Sequence, residues 1–367
     1  MKLKKLIFTF TVAAIAGAIL INSDAVRNSV AESIQTCLNS LVPSLMTFMT
    51  VASFIADSEC ADVLAKALGR PIRLLFNLPE NCAKAVILSM LGGYPCGAKI
   101  ISDMLKNGET DPKTAQRMLR FCINASPAYI VSAIGIGLFG SARIGAVICI
   151  SHLMSSLMMG IAFRGKKITE KPYIKQQRPK ASESFVKAVF DSATAMVYIS
   201  GFTITFSVVL TLLDKTGITQ TFITLLQPLI HSEETSRSIL YILFDVVAGS
   251  RSCVDCPPLT ALLLSSASVS LGGMSIWAQT AFYLSGHRIS FFDLISFRLL
   301  HAVLTATTTY IIIGITDTDI ATAYVFGTNA NNTPVGFLST MLFLICGMVF
   351  VITADKNISL LFRRKKQ

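Results

Sequence analysis

Charge is what this sequence has least of. Asp, Glu, Lys and Arg supply 14% of its 367 residues, where a soluble domain carries about 25%. Hydrophobic residues supply 52%. A water-soluble fold is excluded, and the composition predicts an all-α, polytopic helical membrane protein. Histidine is scarce as well: His152, His231, His287 and His301 stand far apart, with no metal-ligand spacing. There is no G-x-S-x-G elbow, no Walker loop and no H-E-x-x-H pair. No enzyme, no cofactor and no ATPase of the chain's own is expected. Paired cysteines are nearly absent. The chain has nine cysteines, and most, such as Cys37, Cys122, Cys149 and Cys346, lie in apolar segments as small core residues. Cys253 and Cys256 form a lone C-x-x-C pair without a nearby histidine, which is weak support for a metal or redox site.

What charge there is runs positive, with a net +11. The basic residues sit in short clusters beside or between apolar segments, as cytoplasmic loops do. That placement argues for a lipid bilayer context rather than nucleic acid, and it is compatible with an anionic substrate. The spans expected from hydropathy cover about 3–22, 36–56, 121–140, 143–163, 187–213, 295–314 and 335–353. The first begins Met-Lys-Leu-Lys-Lys, and no small-x-small cleavage site follows it, so it reads as an uncleaved span. "RGKKITEKPYIKQQRPK", 164–180, is the one good linker, and the positive-inside rule places it in the cytoplasm with the N-terminus.

The halves on either side of the linker resemble each other. Leu91-Gly92-Gly93 recurs as Leu271-Gly272-Gly273, each after a proline (Pro79, Pro258) and before an arginine-bearing helix start. The expected organisation is an anchor and connector over 1–35, a first membrane repeat over 36–163, a basic linker over 164–184, a second repeat over 185–353 and a basic tail over 354–367. The crossings do not close on themselves. An inverted second repeat ends outside, whereas Arg363-Arg364-Lys365-Lys366 argues for inside. The fold expected is a transporter-like pair of repeats, each with a glycine-broken or re-entrant segment. A homo-oligomer is compatible with it.

The breaks are the informative feature. "MLGGYPCGAK", 90–99, interrupts an apolar run with Gly92, Gly93, Pro95 and Gly97, and Lys99 follows at once. A break inside a membrane frees backbone N–H and C=O groups that lipid cannot satisfy, so it survives where it lines a protein cavity or ligand site. The N-terminal end of a half-helix offers donors and partial positive charge to an anion. The expected substrate-binding residues here are Gly92, Gly93, Tyr94, Pro95, Gly97 and Lys99, with Gly272, Gly273 and Gln279 at the second break. The bland alternative is that the glycines permit close helix packing and that Lys99 is a flanking charge. Asp245, in "YILFDVVAGSR", is an ionisable group within an apolar stretch and therefore a candidate ion ligand or proton carrier. Arg251 is its candidate partner, and a buried ion pair that stitches helices is the alternative. Asn124 and Ser126 precede Pro127 and either contact a substrate or satisfy the carbonyl that the proline frees.

"GGYPCGAKIISDMLKNG", "FCINASPAYIVSAIGIG" and "GGMSIWAQTAFYLSGHRISFFDLISFRLLHA" together resemble the YlbJ (stage V sporulation protein V) family of nucleoside-recognition, or Gate, domain membrane proteins. The resemblance runs over about 35–350. Gly93, Tyr94, Pro95, Gly97, Ala98 and Lys99 match a G-Y-P-x-G-A-K pattern, and Asn124, Ala125 and Ser126 match an N-A-S stretch. It implies a multi-pass protein of the bacterial cell membrane, placed around the forespore in a host that sporulates, which moves the small aromatic dicarboxylate dipicolinate. Tyr94 or Trp277 would stack on the ring. The chain departs from the family where an acid before a glycine is replaced by Asp245. A nucleoside permease, which would lean on Asn124, Gln279 and Asp245, and a non-transporting scaffold are the competing readings.

Overall fold

The structure is a computed structural model, and it describes residues 2–165 and 180–316. The span expected at 335–353, the basic tail and most of the basic linker lie outside the described residues. The elements among the described residues are all helices, in the order α1 Lys2–Ile21, α2 Ser23–Thr36, α3 Val42–Asp57, α4 Cys60–Phe76, α5 Ala83–Gly92, α6 Tyr94–Lys106, α7 Pro112–Leu119 and α8 Ala142–Ala162. The second half holds α9 Ala181–Lys215, α10 Ile218–Leu226, α11 Glu233–Phe244, α12 Val246–Ser252, α13 Pro258–Leu271, α14 Gly273–Tyr283 and α15 Phe291–Thr316. This is a multi-pass membrane protein. Among the described residues, five helices are long and apolar enough to cross a bilayer, and six if the bent pair Cys60–Phe76 and Glu80–Gly92 is one span.

The local chemistry explains most element boundaries. α2 and α3 form one helix, Ser23–Asp57, with a wide turn at Cys37–Leu41. Pro43 lacks an N–H and its ring presses on the preceding turn, which the wide turn accommodates. The boundary expected at residue 36 therefore falls inside a continuous helix. α4 ends where Asn77 takes a left-handed conformation, φ 52°, and the chain turns by 104° into α5. Asp111 caps α7 by accepting the Lys113 and Thr114 N–H groups, and Ser141 caps α8 from Ile144.

One apolar core runs through both halves, from Leu41 and Phe76 to Val269 and Leu294. α8 and the α13–α14 rod lie innermost, with 61% and 67% of their apolar windows buried, whereas α9 and α15 are 22% and 28% buried and turn apolar side chains such as Phe190 and Val303 outward. Ala261, Ser265, Ser266, Ser268 and Ser270 are fully buried along α13, and side chains this small let neighbouring backbones approach.

The expected span at 121–140 is corrected by the structure. Residues 122–126 carry no helix, and a short helix with wide turns, Tyr129–Ile136, follows. The segment is apolar enough to be a span, but Pro127 cannot donate a backbone hydrogen bond and packing side chains hold the residues before it in an extended path.

The pairing of the glycine breaks also shifts. Each half runs through a long helix, a short helix, two interruptions and a final long helix. In that order the break at Gly93 stands opposite Asp245, and the unwound 122–126 stretch stands opposite Gly272.

Candidate functional site

Each half packs its two interruptions against each other. In the first half the chain turns at Gly93, φ 86°, before Pro95 opens α6. A Cβ placed on Gly93 would lie 3.6 Å from the Ser126 N and Cβ, and one on Gly97 would lie 2.0 Å from the Cys122 carbonyl oxygen. Gly97 is therefore part of α6, and its lack of a side chain is what lets α6 rest on the unwound stretch. In the second half Asp245 is the break, with extended backbone between α11 and α12. α12 turns back so tightly that a Cβ on Gly249 would meet the Ile242 Cα at 2.6 Å. Gly273 fills the remaining space, since its Cβ would come 2.7 Å from the Ile242 carbonyl oxygen and 3.0 Å from the Asp245 nitrogen.

Side chains take up the backbone groups that unwinding frees. Arg298, 1% exposed, reaches from α15 and donates to the Ile123 carbonyl and, at 2.9 Å, to the Arg120 carbonyl. Ser156 donates to the Phe121 carbonyl at 2.6 Å, as does Asn124 Nδ2 at 2.8 Å. The Ala125 N–H donates to His152 Nε2 at 3.1 Å. Accepting there leaves the ring proton of a neutral imidazole on Nδ1, which faces Ser270 Oγ at 2.8 Å, and Ser270 donates onward to Thr305 at 2.6 Å. Ser126 Oγ accepts the Tyr129 N–H at 3.1 Å. The halves are joined at the same level: Tyr94 donates its hydroxyl to the Val269 carbonyl, and Ser102 donates to the Tyr283 carbonyl at 2.7 Å.

Two cavities meet at Asp245. A chamber of about 500 Å³ lies between α2, α9, α11 and α12. Its charged walls are Glu32, Asp214, Asp245 and Asp255, with Arg237 and Arg251, and hydroxyls such as Thr36, Thr203 and Ser207 fill the spaces between. A second cavity of about 20 Å³ lies deeper, against Tyr94, Pro95, Tyr129, Asp245 and Gln279. Asp245, Thr203 and Val247 border both. The Asp245 carboxylate is 2% exposed, and its Oδ2 accepts the Val247 and Ala248 N–H groups at 2.9 Å each. It caps α12 as an aspartate caps any helix, so the donors at that helix end are already taken.

The structure brings Tyr94, Pro95, Asp245 and Gln279 to one cavity and Arg251 to the adjoining chamber, and it sets Gly92, Gly93, Gly272 and Gly273 at the breaks. Others lie elsewhere. Lys99 lines neither cavity; Asp103 at 2.9 Å and Asp191 at 3.0 Å hold its ammonium. Arg251 pairs with Glu32 at 2.9 Å rather than with Asp245. Asn124 and Ser126 are fully buried and bond local backbone, Asn124 donating to the Phe121 carbonyl and Ser126 accepting the Tyr129 N–H, whereas the Ile123 carbonyl that Pro127 frees is met by Arg298. Trp277 donates its indole N–H to the Leu271 carbonyl at 3.0 Å and borders neither cavity. Cys253 and Cys256 are unbridged thiols, packed against Gly249 and Ser238 respectively. Sequence reasoning passed over Arg298 and His152 as functional residues, although an arginine and a histidine inside apolar helices are a visible signal.

Sporulation integral membrane protein YlbJ of Bacillus subtilis (strain 168) is 23% identical to this chain over 295 residues, covering 72% of each. This similarity supports a YlbJ-family relationship. No family model matches the chain, and no solved structure matches it.

Proposed function

We propose that this chain is a sporulation-associated membrane permease for a small aromatic dicarboxylate, dipicolinate, which occupies the chamber ending at Asp245. The observation that carries the reading is the chamber itself. Its volume of about 500 Å³ is that of a small-molecule site, it is polar within an apolar helical body, and it ends where interrupted helices cross, as transporter sites do. The relative with a sporulation name supports the setting.

Arg251 and Arg237 supply the anion's partners. Arg251 is bound to Glu32 through a pair that is 49% and 63% exposed, and such pairs contribute about 0–1 kcal/mol. A substrate carboxylate can therefore replace Glu32 at little cost and gain a two-pronged contact with the guanidinium. Lys99 is not placed for this role, because two carboxylates already hold it.

Uptake of labelled dipicolinate into proteoliposomes tests the reading. Uptake by the parent and by Lys99→Ala, with loss in Arg251→Ala, is the expected pattern. Absence of uptake by the folded parent refutes it. A nucleoside permease is the second reading, favoured by the hydroxyl-lined wall and by four chamber carboxylates against two guanidinium groups. Nucleosides offered to the same vesicles decide between the two.

A further inference from the structure

Each half carries a short connecting helix with exposed apolar side chains between its first long helix and its first interruption: α4 in the first half and α10 in the second. α4 begins and ends at one level of the protein. Just before it, Asp57 holds Lys187 at 2.6 Å, near the start of α9, which follows the basic linker. Just after it, Asn77 donates to the Gly165 carbonyl at 2.9 Å, where that linker begins. A helix of 17 residues is about 25 Å long. With both ends at the linker's face it runs along that face, and the 104° bend at its end turns α5 away.

The outward surface of α4 has two flanks. Val63, Ala67, Leu74 and Leu75 are exposed, Val63 and Leu74 at 65% and 63%, and at 100° per residue they fall within about a third of the helix circumference. Lys66, Arg70 and Arg73 form the flank beside them. Glu80 holds Arg73 at 3.3 Å, whereas Lys66 and Arg70 are exposed and have no carboxylate partner among the described residues. Ala61, Gly69, Ile72 and Phe76 make the buried face. This is the layout of a helix that lies in a membrane surface, with apolar side chains among the acyl chains and long basic ones reaching the headgroups. α10 gives the contrast. The 35 residues of α9 carry the chain from the linker's face to the other, and α10, which follows, exposes Ile218 and Leu225 but has no charged residue. Only the connecting helix on the linker's side is basic, and 164–180 adds seven basic residues against one acidic. A negatively charged leaflet attracts such segments.

We propose that α4 binds the surface of the leaflet on the linker's side, with Val63 and Leu74 among the acyl chains and Lys66 and Arg70 on the phosphates of anionic phospholipids. The Arg70 guanidinium can take a phosphate through two parallel bonds. The inference does not rest on the permease reading.

The test is binding of fluorescent phosphatidylglycerol, beside fluorescent phosphatidylcholine, to the purified full chain in nonionic detergent at low ionic strength. The parent should prefer phosphatidylglycerol. A basic side chain near an anionic lipid surface contributes about fivefold in affinity, so Lys66→Gln with Arg70→Gln should weaken phosphatidylglycerol about 25-fold and leave phosphatidylcholine unchanged. Both side chains are exposed and unpaired, so the double variant should unfold at the parent's temperature. Added salt should remove most of the preference. Placement is read separately, in nanodiscs that contain phosphatidylglycerol. The chain has one tryptophan, so Val63→Trp in a Trp277→Phe background reports on α4 alone. Brominated acyl chains should quench it, and acrylamide in the water should not. No preference by the parent, or a preference that survives the double variant, overturns the headgroup contact. Quenching by acrylamide and not by brominated lipid overturns the placement and turns this face toward an acidic protein partner instead.

Discussion

Arg298 offers a direct test of how the unwound stretch survives inside the protein. Its guanidinium is buried, no carboxylate among the described residues pairs with it, and it donates to two carbonyls of that stretch, those of Arg120 and Ile123. Arg298→Met keeps a long side chain and removes the donors. Two buried acceptors are then orphaned at about 1–3 kcal/mol each, or about 2–6 kcal/mol together. Part of this is returned, because an unpaired buried cation disappears as well and its desolvation cost with it. A net loss of about 2–3 kcal/mol is expected, equivalent to a fall of roughly 3–4 °C in unfolding temperature for a chain of this length. Cys122 reports on the segment itself. It is fully buried, so a thiol-reactive probe should label it slowly in the parent and much faster in the variant, well below the unfolding temperature. Arg298→Lys keeps the charge but cannot fork to both carbonyls, and it should fall between the two. If Arg298→Met unfolds with the parent and Cys122 stays protected, the guanidinium does not hold the unwound backbone and the account given for it fails.

Other consequences follow from single distances. Gly97→Ala puts a methyl group 2.0 Å from the Cys122 carbonyl oxygen, an overpacking that should cost at least about 1–3 kcal/mol in detergent unfolding. Gly201→Ala, where nothing lies within 4 Å, should be neutral or stabilise by about 0.5–1 kcal/mol. Asp111→Ala removes the cap of α7 and should lower stability by about 1 kcal/mol; a loss below measurement would show that α7 is held by its packing alone. Lys99→Ala leaves Asp103 and Asp191 without their cation, so unfolding temperature should drop while solute affinity per folded molecule stays unchanged.

The sequence was legible where one residue type has few uses. Apolar windows gave most of the spans, because length and composition alone decide whether a helix can cross a bilayer. Glycine pairs marked two of the four interruptions, since a positive φ is rare, while the lone aspartate at the third was noticed as a charge and not as a break. The fourth was misread. Residues 121–140 carry the composition of a span, and their unwinding is decided by Arg298, His152 and Ser156, which arrive from α8 and α15. Local pattern does not contain that information. Lys99 was misplaced for the same reason. Its charge was visible, but Asp191, which holds it from α9, is remote in sequence and gives no periodic sign of the contact.

The glycine breaks of the two halves also differ in what they rest on. Leu91-Gly92-Gly93 and Leu271-Gly272-Gly273 match as strings, yet the first glycine pair rests on the unwound 122–126 stretch and the second rests on Asp245. In both halves the glycine is the member of the crossing that gives way, and its partner carries the polar groups. The first half's partner is satisfied from α8 and α15, by His152 and Arg298. The second half's partner is satisfied mainly from its own helix, with Asp245 Oδ2 bonded to α12, and the buried Gln279 Oε1 has no partner among the described residues. The two crossings are therefore unequal in chemistry despite their common build. The first is closed by protein donors and serves as a fixed joint. The second borders both cavities.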